Sequence, residues 1–67
     1  MDINKNKIKK MKQYIFYIEY KDATRKIFYK ACKKPRLTKL HKYLIYELNT
    51  NDEVQEIGYC QENKYTN

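Results

Sequence analysis

The sequence predicts a small two-layer α+β domain in the order β-β-α-β: an antiparallel hairpin plus a third strand, with one helix on one face. Three observations carry this prediction. Tyr14-Ile15-Phe16-Tyr17-Ile18 is the longest apolar run in the 67 residues, and its β-branched and aromatic side chains suit a pleated strand. Leu37, Leu40, Leu44 and Leu48 recur at steps of three and four, the apolar stripe of an amphipathic helix. After the turn-forming cluster Asn49-Thr50-Asn51-Asp52, residues 53–61 read as a strand again.

The chain opens with residues 1–12, which carry five lysines and no sustained period. This segment is expected to be a mobile basic arm. Residues 13–21 form the first strand and residues 24–33 the second, with Asp22 and Ala23 between them. A tight two-residue turn, or a four-residue loop over 21–24, makes partner numbers sum to 45. Glu19 then falls opposite Lys26. Ile18 meets Ile27, Phe16 meets Tyr29 and Tyr14 meets Ala31 on one face. Ile15 meets Lys30 and Tyr17 meets Phe28 on the other. An opposite-charge pair such as Glu19 with Lys26 adds ~0.2–1 kcal/mol to an antiparallel ladder.

Pro35 ends the second strand, because proline cannot continue a ladder but tolerates the first turn of a helix. The leucine stripe follows, bordered by Ile45 and His41, with Lys39, Lys42, Tyr43 and Tyr46 on the opposite side. In the third strand Ile57 and Tyr59 should face the helix, and Val54, Gly58 and Cys60 the other face. Residues 62–67 form a polar tail, so the domain spans 13–61. The helix returns the chain so that the third strand runs parallel to the second. Placing the third strand beside the first gives the order 2-1-3 with a right-handed crossover.

Composition bounds the function class. A chain of this size buries only ~60% of its unfolded surface, so an oligomer would help its stability. Eight tyrosines and two phenylalanines against one glycine and one proline argue for a packed domain. The net charge of +7 is uneven: residues 22–36 hold six bases and one acid, and residues 49–67 hold four acids and one lysine. A basic body favours an anionic partner, either a protein or nucleoprotein with an acidic surface or single-stranded nucleic acid. No apolar run approaches the ~18 residues of a membrane span. The run before Glu19 is also too short for a signal peptide. A cytoplasmic location is therefore expected, in a host cell if the chain is phage-encoded. Cys32 and Cys60 are then expected as free thiols. Lys, Asn, Ile and Tyr make up about half the chain, and their A/T-rich codons point to an A/T-rich bacterium or its phage.

Two candidate binding surfaces follow. One is the sheet face that the helix leaves open: Ile15, Tyr17 and Phe28, edged by Lys26, Lys30 and Lys33, with Cys60 nearby. Apolar patches ringed by polar groups mark protein interfaces, including homodimers, and aromatic rings on a sheet can stack on bases. The other is the basic cluster Arg25, Lys33, Lys34 and Arg36, together with Lys26 and Lys30. Catalysis has little to draw on. His41 is the single histidine and there is no serine, and Gly58, the one glycine, cannot build a phosphate-binding loop. With two cysteines 28 residues apart and one histidine, neither a metal site nor a cofactor is expected. The format is similar to that of many phage and mobile-element proteins that block a host enzyme or defence complex, anti-CRISPR proteins among them. The resemblance covers size and composition only. It implies a non-catalytic, stoichiometric inhibitor acting by surface block. The alternative is a small basic nucleic-acid-binding accessory protein.

Overall fold

A computed structural model describes residues 11–65. The expected arm over residues 1–10 and the last two residues of the tail lie outside that range. Strand β1 runs Lys12–Tyr20 and β2 Arg25–Cys32. A 3-10 turn follows at Pro35–Leu37, then helix α1 at Lys39–Thr50 and strand β3 at Val54–Gln61. The chain then enters a short helical turn, α2, at Glu62–Tyr65. The three strands lie in the order β2-β1-β3, with β1 antiparallel to both neighbours. This is the expected α+β architecture, with the most apolar segment in the middle of the sheet. Lys12, assigned to the arm by sequence, already belongs to β1 and pairs with Cys32. The first part of the expected polar tail is the helical turn, which packs back on β1 and β3.

The hairpin register differs from expectation by one residue. Phe16 pairs with Phe28, Ile18 with Lys26, and Glu19 with Arg25, so partner numbers sum to 44. The cause is the loop. The Tyr20 amide donates to the Thr24 carbonyl (2.8 Å) and the Ala23 amide to the Tyr20 carbonyl (2.9 Å), which encloses Lys21-Asp22-Ala23. A three-residue loop of this kind ends on a left-handed residue, and Ala23 takes that place with φ 76°. The Asp22 carboxylate steadies the loop by accepting from the Thr24 amide (3.0 Å) and hydroxyl (2.6 Å). Since side chains alternate between faces, a shift of one residue turns every β2 side chain over.

The core lies between the sheet and α1. Phe16, Ile18 and Leu44 are fully buried, with Cys32 and Val54 beside them. Tyr14, Tyr20, Phe28, Leu40, Ile57 and Tyr59 pack around this centre. Val54, expected on the open face, joins the core because the β1–β3 register shifts between Glu19 and Tyr20. Glu19 pairs with Glu56 and Tyr20 with Val54, so Gln55 is the extra residue. Ile57 and Tyr59 face the helix as expected.

Two leucines of the stripe stand outside the core. Leu37 belongs to the 3-10 turn and is 70% exposed, and Leu48 is 41% exposed. The helix begins only after Thr38, whose Oγ1 accepts from the His41 amide (3.1 Å) while its hydroxyl donates to the Pro35 carbonyl (2.7 Å). Asn51 ends the helix by donating its amide to the Glu47 carbonyl (2.8 Å). Tyr43, placed by sequence on the outer side, reaches the Phe28 ring edge-on, with centroids 6.3 Å apart.

Candidate functional site: a basic groove beside the helix

The register changes what the open sheet face displays. That face carries Ile15, Tyr17 and Glu19 of β1, Arg25, Ile27, Tyr29 and Ala31 of β2, and Glu56, Gly58 and Cys60 of β3. Lys26, Phe28 and Lys30, expected there, lie on the helix side instead. Phe28 packs against the core, while Lys26 and Lys30 are exposed along the outer strand. Ile15 is on the expected face but is only 2% exposed, flanked by its partners Tyr29 and Cys60 at the centre of the sheet. A side chain so enclosed has little area to offer a partner.

Tyr17 is half-buried, and its ring lies directly over Gly58. A Cβ at position 58 would collide with the far edge of the Tyr17 ring. Arg25 caps the ring at 5.0 Å and pairs with Glu19 at 3.2 Å. The phenol donates to Glu56 at 3.4 Å. Burial, then the nearby Glu56 charge, holds the Tyr17 phenol above its ordinary pKa, with Arg25 opposing. Arg25, expected in the basic cluster, is thus engaged at the hairpin end of the open face. With Glu19 and Glu56 beside it, this face is not the cationic surface that phosphate binding needs.

The remaining members of the basic cluster come together elsewhere. Lys33, Lys34, Pro35, Arg36, Leu37, His41, Ile45 and Tyr59 line an open groove of about 600 Å³ at the N-terminal end of α1. Several local causes build it. Pro35 tucks inward and is buried, which turns the chain and leaves Lys34, Arg36 and Leu37 pointing to solvent. The Thr38 cap starts the helix so that His41 and Ile45, one turn apart, share one flank. Beneath them Tyr59 is held by three rings: Tyr14 (6.1 Å), Phe16 (5.6 Å) and His41 (5.6 Å, edge-on).

Electrostatically, the groove has three cations and, among the described residues, no carboxylate in its lining. Among the described residues, Lys33, Lys34 and Arg36 have no ion-pair partner. The bed is apolar, with Ile45 41% exposed and Leu37 more so. Leu37, His41, Ile45 and Tyr59 were not singled out for binding by sequence. The available signal was a proline followed by a threonine cap, which starts the helix late and releases Leu37 from its stripe.

Among the described residues, no group of three His, Cys, Asp or Glu side chains is placed to hold a metal ion. Cys32 is buried under the helix, and Cys60 faces the opposite side of the sheet. Burial pushes the Cys32 thiol above its usual pKa, so it is a poor nucleophile. No helix of the described residues is long and apolar enough to cross a membrane. No family model, curated protein or solved structure matches the chain.

Proposed function

We propose that this chain is a non-catalytic binding protein that occupies an acidic surface of a protein or nucleoprotein complex, stoichiometrically, through the groove at the start of α1. The observation that carries the reading is the set of three cations, Lys33, Lys34 and Arg36, without an ion-pair partner among the described residues, over an exposed aliphatic bed. Cations without local partners keep their full attraction for an external anion, and clustered ones raise the association rate. An inhibitor of a host defence or nucleic-acid-processing complex, acting by surface block, fits a domain this small and basic.

A second reading has one observation in its favour. Lys26 and Lys30 are exposed on either side of Phe28, and Tyr43 of α1 sits against that ring. Rings between lysines can hold single-stranded nucleic acid, with salt-dependent affinity.

The two readings separate in a pull-down from lysate of the source cells, run with and without nuclease. The bait is wild type or the triple variant Lys33→Glu, Lys34→Glu, Arg36→Glu. A partner that survives nuclease and is lost with the triple variant supports the groove. A partner that the triple variant retains overturns it, as does capture of nucleic acid with no accompanying protein.

A further inference from the structure

We infer that the groove receives an acidic protein segment carrying an aliphatic anchor residue, of the leucine class, rather than phosphates and bases. The inference rests on the binding function proposed above and names the chemistry of the occupant.

The charge comes first. Lys33, Lys34 and Arg36 line the groove, with no carboxylate among the described lining residues. That asymmetry calls for an anion, which both a carboxylate-rich peptide and a nucleic acid supply. The bed decides between them. A base needs a free aromatic face to stack on. Among the described residues Tyr59 is the only phenol ring in the lining, and Tyr14, Phe16 and His41 hold it on several sides. His41 in turn meets Tyr59 edge-on, at 81°. What the bed leaves bare is aliphatic: Leu37 at 70% and Ile45 at 41% exposure. Exposed aliphatic side chains gain most from another aliphatic group that leaves water with them. Pockets of roughly 300–1,000 Å³ take small ligands, so this groove has room for an anchor and its neighbouring backbone.

Leu37 is central to this choice. It follows the helical leucine spacing, yet the 3-10 turn and the Thr38 cap hold it out of the core. A leucine so exposed costs the free protein hydrophobic stabilisation. Beside three cations, it gives a partner both an apolar contact and a counter-charge.

The test uses the full chain and fluorescence anisotropy. The probes are a labelled peptide of Asp and Glu residues around one leucine, the same peptide with serine in place of leucine, and an oligothymidylate. The leucine peptide should bind at least about tenfold more tightly than the serine peptide, the scale of one apolar group in a fitted pocket. It should also outbind the oligothymidylate. Leu37→Ser should erase the leucine preference while leaving the circular dichroism spectrum unchanged, since Leu37 lies outside the core. Ile45→Thr should do the same, as a second variant on the helix. Equal binding of the two peptides, abolished by the Lys33, Lys34 and Arg36 reversals, would overturn the anchor and leave the proposed function standing. Peptide binding that ignores those reversals would overturn both. Tighter binding of the oligothymidylate would overturn the choice of a protein segment. So would a dimer by sedimentation that Leu37→Ser dissolves, because the occupant would then be a second copy of the chain.

Discussion

The open sheet face and the groove make an instructive pair. The open face carries two phenol rings, Tyr17 and Tyr29, and its polar groups are largely turned on one another. Arg25 pairs with Glu19 and covers Tyr17, Tyr17 lies on Gly58, and its phenol reaches Glu56. The groove also carries two rings, His41 and Tyr59, but among the described residues its three cations have no ion-pair partner, and two aliphatic side chains stand in water. A surface that satisfies itself has less to gain from a partner, because binding must first undo what is already made. Unmet charge beside exposed apolar area separates the two surfaces where ring content does not.

The sharpest way to break this comparison is to truncate neighbouring side chains on opposite sides of β1. Phe16→Ala removes a fully buried ring and should cost ~3–5 kcal/mol, enough to unfold much of a chain this small. Tyr17→Ala should cost only about 1 kcal/mol, chiefly through the lost Arg25 contact and the bared Gly58. Urea titration of both variants measures the difference. Equal losses would mean that the open face is core in all but name.

Next in size is the hairpin. Ala23 holds a left-handed conformation that costs an L-residue roughly 1–2 kcal/mol and glycine almost nothing. Ala23→Gly should raise stability by up to about 1 kcal/mol, after the entropy glycine brings to the unfolded chain. A thermal melt that moves down would show that the loop is not the three-residue kind that sets the register.

The smallest effects are titrations. The Tyr17 phenol is held above its ordinary value, so folding favours its neutral form. That contribution is present below about pH 10 and is lost as pH rises toward the folded value. Asp22 is held below its ordinary value, first by the Thr24 hydroxyl and then by the Thr24 amide. Its contribution is present above the usual carboxylate range and is lost as pH falls through the lowered value. Stability measured across pH should show both slopes. Asp22→Asn should flatten the acid one and Tyr17→Phe the alkaline one.

Much of the architecture was legible in the sequence. The apolar run of β1, the leucine period of α1 and the turn cluster at Asn49–Asp52 placed the elements within a few residues. Charge clustering also singled out Lys33, Lys34 and Arg36, which the structure does bring together. The faces of β2 were less legible, because Asp-Ala gives little guide to whether a loop holds two, three or four residues. The cue that was present is Thr24, two residues after Asp22, whose hydroxyl and amide the carboxylate binds.

The amino-acid sequence by itself determined the kinds of element, their order and the strand order 2-1-3. Local periodicity sets the first two, and a chain that must bury its most apolar strand sets the third. Tertiary structure alone decided which surface is left wanting. A left-handed Ala23 sets the loop at three residues and turns Lys26, Phe28 and Lys30 to the helix side. The groove forms only when residues 33–37, His41, Ile45 and Tyr59 meet across the end of the sheet. Contacts so far apart in the chain leave no period to read, since they depend on packing rather than on spacing.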